Sequence, residues 1–297
     1  MTHPPKKCDC TIMSVSAESF KRIKALALDL DGTALLPDTA MGERTVTVLK
    51  KLAARGMQVI LCTGRAIEAA EKYRAAIGAE GPMVYFNGAE VVDMPSGRII
   101  STALVSLEVV DFCIDIARSL NLHFHVFLPP GIIEGRGKWE TLVIEKIRPE
   151  SEAYCRHTKL NPLVRDLKDI VSVPGLRGCV KVMYVCEPEW HDTIRARLNE
   201  RFGNSVYVAR SLPTFLEIMN AGVSKGDGLL TVMKLRGLSA EMVLAAGDEE
   251  NDLMMFNASG VSAAPANARE SVRGRADFIF GSNAEEGLAA FLEEKFF

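Results

Sequence analysis

Ala25-Leu26-Ala27-Leu28-Asp29-Leu30-Asp31-Gly32-Thr33 is the stretch on which the reading of this chain turns. Apolar residues run from Ala25 to Leu30 around a single acid, Asp29, and stop at Asp31-Gly32, the pattern of a buried strand ending in a turn. A helix is expected next, over 43–55. There Val46, Leu49, Leu52 and Ala53 fall three and four residues apart on one stripe, and Gly56 is placed to end it. A second buried strand follows at 57–62. Ile67, Ala70, Tyr73 and Ile77 then repeat the helical stripe, and residues 83–86 make a third strand. Strands that are apolar throughout, joined by amphipathic helices, predict an α/β fold with a parallel sheet covered on both faces.

The same alternation returns near the end, with helices over 225–236 and 252–258, strands at 242–246, 260–264 and 277–280, and a closing amphipathic helix. Between the halves the texture changes. Short strands at 123–128, 181–185, 205–208 and 215–219, with helices at 107–120 and 189–201, read as an antiparallel α+β unit inserted into the first. The expected organisation is an N-terminal extension over 1–22, a core made of 23–89 and 220–297, and an inserted cap over 90–219.

Bulk properties narrow the function. A chain of 297 residues that is 48% hydrophobic and 25% charged has the balance of a soluble globular protein, and the net charge of −3 with dispersed Lys and Arg gives no field for nucleic acid. No apolar run has the length of a membrane helix, and no apolar segment follows Lys6 and Lys7 as a secretory signal would require. Seven scattered cysteines form no disulfide framework, so reduced thiols and a cytoplasmic location are expected. Cys8 and Cys10 are read as tail residues, and Met13 as a second possible start. Nothing here fixes the oligomeric state.

In open parallel sheets ligands bind beyond the carboxyl ends of the strands. Those ends are polar in this chain: Asp29 to Thr33 after the first strand, Thr63-Gly64-Arg65 after the second, and Gly247-Asp248-Glu249-Glu250-Asn251-Asp252 after the strand near 242, with Lys225 opening a helix. Together they suit a phosphate monoester. A carboxylate attacks a dianion only when the repulsion is neutralised, and a hard cation held by the oxygens of Asp29 and Asp248 would do this. Asp31, two residues on, faces the same side and is placed to protonate the leaving oxygen and then activate water. Thr63, the Gly64 loop, Lys225 and Asn251 are candidates to bind the non-bridging oxygens.

In order and spacing these segments, Asp29-Leu30-Asp31-Gly32-Thr33, Thr63-Gly64-Arg65, Ser224-Lys225-Gly226 and Gly247-Asp248 through Asn251-Asp252 to Met255, resemble the four motifs of the haloacid dehalogenase superfamily. The position of the insertion, Asn87-Gly88-Ala89 before it and Phe215-Leu216-Glu217-Ile218 closing it look like the Cof-type subfamily. The resemblance covers about 24–295. It implies a Rossmann-like core with a mobile mixed α/β cap, Mg2+, and activity on a sugar phosphate or similar small phosphate ester. It also implies Asp29 as nucleophile, Asp31 as acid/base and as metal ligand through its backbone carbonyl, Asp248 as metal ligand, and Asp252 behind the metal. Ala34 and Cys62 depart from the usual pattern at positions that touch none of this chemistry.

Each segment alone has a plainer explanation. An Asp-x-Asp-Gly-Thr can be a solvated acidic turn, Thr63-Gly64 a strand-to-helix turn, and 248–252 an acidic helix start. Lys225 opposes the dipole of its own helix, which favours a nearby anion. His123 and His125 alternate on one strand face but lack a third ligand, so packing is expected of them. Arg65 is expected to brace the motif loops by ion pairing. The rival functions are a sugar phosphomutase or phosphotransferase on the same core, and a noncatalytic phosphate-binding protein, against which the presence of both Asp29 and Asp31 argues.

Overall fold

The structure, a computed structural model, describes residues 17–297, so Cys8, Cys10 and Met13 lie outside the described residues. Five parallel strands form the central sheet in the order Phe278–Phe280, Val261–Pro265, Val243–Ala246, Ala25–Leu28, Gln58–Leu61. The first strand of the chain therefore sits between the second and one from the far end. The order reverses there, which opens a crevice at the carboxyl ends. Alternate residues of this strand feed two cores. Leu26 and Leu28 pack with Leu49, Leu52 and Tyr73 on one face, Ala25 and Ala27 with Leu229, Val232 and Met255 on the other.

Two expected boundaries are corrected. Phe20, assigned by the sequence to the extension, is 7% exposed, with its ring 5.2 Å from Phe278, 6.1 Å from Phe291 and 5.6 Å from Phe296. Burial of an aromatic in this cluster draws the start of the core back before residue 23. The hairpin Glu90–Met94 and Arg98–Thr102, assigned to the insertion, pairs antiparallel with Gly81–Tyr85. That three-stranded piece joins the central sheet through a parallel bridge between Cys62 and Val84, so it continues the core.

A second sheet has six strands in the order Val206–Leu212, Phe215–Asn220, Lys181–Val185, His123–Phe127, Leu142–Ile144, Leu163–Val164, antiparallel except for the last pair. Helices Leu107–Ser119 and Glu189–Phe202 cover one face, where Val110, Ile114, Ile194 and Leu198 meet Val126, Val182, Leu216 and Ile218. The opposite face, bearing Phe127 and Met219, packs into the first core. No helix among the described residues is long and apolar enough to cross a membrane.

Candidate active site

The chain turns sharply at the end of strand Ala25–Leu28, and Gly32 takes a φ of +75°. A side chain there is excluded twice over, because a Cβ would also fall 2.1 Å from Asp248 Oδ2. That approach brings the first and last motifs together. Carboxylate oxygens of Asp29, Asp248 and Asp252 lie within 4.8 Å of one another, although the first is more than two hundred residues from the others.

Lys225, the first residue of helix Lys225–Arg236, reaches into this group. Its Nζ donates to Asp29 Oδ1 at 2.6 Å and to Asp252 Oδ1 at 2.7 Å, and the lysine is 2% exposed. Burial acts to lower its basicity, but the charges of Asp252 and Asp29 more than offset this and hold the ammonium protonated. Asp252 is committed on both oxygens, since Oδ2 also accepts from the backbone N–H of Asp248 and of Glu249 at 3.0 Å each. It orients its neighbours from behind. Asp248 accepts from Thr33 Oγ1 at 3.0 Å through Oδ1. Asp29 and Asp248 thus each keep one oxygen without a hydrogen bond to any described residue.

Three carboxylates facing one lysine leave an excess of buried negative charge. Burial, and then the neighbouring acids, raise Asp29 well above the usual carboxylate range against the pull of Lys225; burial and Asp252 push Asp248 up to about 7. Such a site takes up a proton or another cation. All its free donors are oxygen, the set preferred by a hard divalent ion such as Mg2+, so the residues fit that metal.

Asp31 lies on the cavity wall with its side chain held by Arg65, whose Nε donates to Oδ2 at 2.7 Å and Nη2 to Oδ1 at 2.5 Å. The expected bracing role of Arg65 thus falls on one acid. Thr63 is fully buried at its strand end, where Oγ1 accepts from the Arg65 backbone N–H at 3.1 Å. Gly64 lines the cavity beneath Asn87, and a Cβ on it would come 2.9 Å from Asn87 Oδ1. Asn251 also lines the cavity, but its Nδ2 donates to Asn87 Oδ1 at 3.0 Å, so the amide expected to bind phosphate is partly engaged.

Asn87 is a residue to which the sequence assigns no role in the site. It adopts a left-handed φ of 55°, which Asn tolerates better than most residues, and its Nδ2 approaches Glu217 Oε2 at 3.4 Å. Glu217 is paired with Lys181 at 2.8 Å, both buried, so a polar chain runs from the second sheet through Asn87 to Asn251. His123 and His125 are packing residues. Their Nε2 atoms are 2.8 Å apart, the His125 ring lies 4.8 Å from that of Tyr154, and both are buried.

Asp29, Asp31, Arg65, Lys225, Asp248 and Asn251 line one end of a cavity of about 740 Å³ between the two sheets. The model of the haloacid dehalogenase-like hydrolases matches residues 26–292. The chain belongs to this family. Relatives include the 5-amino-6-(5-phospho-D-ribitylamino)uracil phosphatase YitU of Bacillus subtilis, 29% identical over 276 residues, which cover 91% of this chain and 97% of the relative. The pyridoxal phosphate phosphatase YbhA of Escherichia coli is 24% identical over 286 residues, covering 91% and 97%. A crystal structure of a haloacid dehalogenase-like hydrolase from Bacteroides thetaiotaomicron superposes with a TM-score of 0.82 at 25% identity, covering 92% of this chain and 100% of that one. Like its Cof-type relatives, this haloacid dehalogenase-like hydrolase is an enzyme of the phosphoric monoester hydrolase class.

Proposed function

We propose that this hydrolase removes phosphate from a small phosphorylated metabolite through a phospho-aspartate on Asp29, with magnesium as cofactor. The observation that carries the reading is the convergence of Asp29, Asp248 and Asp252 around Lys225 at the strand ends. Magnesium would be held by the free oxygens of Asp29 and Asp248 and by the Asp31 backbone carbonyl, with Asp252 behind. When bound it supplies the positive charge that offsets the phosphate dianion.

Asp29 attacks phosphorus through a carboxylate oxygen while Asp31 gives its proton to the departing alkoxide, so the phosphoryl group passes to Asp29 and an alcohol leaves. Asp31, now ionised, takes a proton from water as that water attacks the phospho-aspartate. Inorganic phosphate departs, and both acids are restored. Lys225, the Thr63 hydroxyl and backbone N–H groups of the motif loops hold the non-bridging oxygens as charge shifts. Both Asp31 oxygens accept from Arg65 in the structure, so this ion pair opens before Asp31 carries and delivers its proton. The cavity volume exceeds what a phosphoryl group fills, and this supports selection of the remaining substrate by residues of 105–220. Relatives named for small phosphorylated metabolites support the substrate class. We assign the enzyme to the cytoplasm, which suits the free thiols of Cys62, Cys113, Cys155, Cys179 and Cys186.

The test is phosphate release from a panel of phosphorylated sugars, nucleotides and cofactors, with isomerised product assayed in parallel. Release is expected with magnesium, and not after chelation or in Asp29→Asn. Full activity in either condition excludes the mechanism, and isomerised product in place of phosphate would make the enzyme a mutase.

A further inference from the structure

The cavity that ends at Asp29 has a second wall whose charges are arranged differently. It is built from helix Glu189–Phe202 and strand Val206–Leu212, and it presents His191, Arg195 and Arg210. His191 and Arg195 are four residues apart and share a helix face. Arg210 pairs in register with Leu216, which sets it on the helix-covered side of the edge strand, and it lines the cavity at the rim beside that edge.

None of these three groups forms an ion pair with a described residue. Arg210 makes no hydrogen bond or ion pair with any described residue, and Arg195 spends one N–H on the Val208 carbonyl at 2.7 Å. His191 is 5% exposed, and its Nε2 has no partner. Burial first, and then the charges of Arg195 and Arg210, lower its basicity, so the three groups sense one another. Asp192 lines the same wall three residues before Arg195 and forms no ion pair with it. Elsewhere in the cavity the cations are spoken for: Lys181 by Glu217, Arg65 by Asp31, Arg269 by Glu249.

We propose that this wall binds a second anionic group, a carboxylate or a second phosphate, at the end of the substrate remote from the phosphoryl group attacked by Asp29. Guanidinium forks match both anions with paired hydrogen bonds, and a neutral polyol offers them no charge in return. Proposing this deepens the phosphatase reading and rests on it. The substrate class becomes a phosphorylated sugar acid, or a bisphosphate, of similar length.

The experiment compares matched compounds with the full chain and magnesium: a sugar phosphate, the corresponding acid phosphate and the corresponding bisphosphate. Expected is a kcat/KM about ten-fold higher for one or both members that carry the second anion, the two arms telling carboxylate from phosphate. Arg210→Gln should remove that advantage through KM alone, leave the simple sugar phosphate unchanged, and be partly rescued by Arg210→Lys. Equal kcat/KM across the set, or an equal loss on every member in Arg210→Gln, overturns the proposal. A second arm needs no turnover and separates this proposal from failure of the phosphatase reading. Calorimetry with a nonhydrolysable sugar phosphonate, with and without a distal carboxylate or second phosphonate, should show about ten-fold tighter binding of at least one form with the second anion, lost in Arg210→Gln. Equal affinities of all forms overturn it there as well.

Discussion

On the core side of the cavity Lys225 lies 2.6 Å from Asp29 and 2.7 Å from Asp252 with all three side chains buried, whereas on the facing wall Arg210 is exposed and forms no ion pair with a described residue. The difference follows from solvent. A buried charge must be compensated by the fold itself, so the core groups, set at strand ends and a helix start, are paired with one another. Water compensates the facing wall, where long side chains can change partners at little cost. The reacting end is therefore rigid and common in chemistry to many substrates, and the selecting end is adaptable.

Four substitutions would break or sharpen this contrast. Asp29→Asn keeps the shape but removes the attacking oxygen's charge, and phosphate release should fall by about 10⁴-fold or more in single-turnover assays, with folding intact by circular dichroism. Lys225→Met strands Asp29 and Asp252 as buried acids facing each other. Urea unfolding should show a loss of about 3–5 kcal/mol, with magnesium at high concentration recovering part of it.

Glu90 is the exception on the core side, because it is fully buried and neither carboxylate oxygen has a partner. Burial pushes its acid up to about 8 from an ordinary 4.5. Below 4.5 the proton is on in both folded and unfolded chains. Between 4.5 and 8 the unfolded chain releases it while the fold retains it, so stability falls as pH rises across that window. The cost at pH 7 is on the order of 3 kcal/mol, and Glu90→Gln should flatten the decline of Tm between pH 5 and 8. The smallest effect belongs to the facing wall. Arg210→Gln should change unfolding free energy by less than about 0.5 kcal/mol, even where it changes KM. A loss as large as that for Lys225→Met would mean both walls are built alike.

Much of the reacting end is legible in the sequence alone. Strand periodicity locates the carboxyl ends of Ala25–Leu28 and Val243–Ala246, and their polar residues are those that meet around Lys225. The roles of Arg65 and Asn87 are less accessible. An ion pair is expected of Arg65, but its partner Asp31 is 34 positions away and only the turn at Gly32 aims it. Asn87 carries no pattern, since its importance lies in a left-handed backbone and in bonds to residues 164 and 130 positions away. Helix Pro149–Thr158, which brings Tyr154 over His125, escapes a reading by hydrophobic periodicity because its inward stripe of Ser151, Tyr154, Cys155 and Thr158 is mostly polar or weakly apolar.

The amino-acid sequence by itself determined the alternation of strands and helices, hence the parallel sheet, and the acids at its strand ends, because each depends on neighbours within a few residues. Only the tertiary structure decided that Phe20 and the hairpin of 90–102 belong to the core, that Glu90 is enclosed without a partner, and that Arg195 and Arg210 line the same cavity as Asp29. Those outcomes depend on which surfaces meet over long separations, and the free energy of such contacts is set by burial and by distance in space, neither of which has a local signature in the chain.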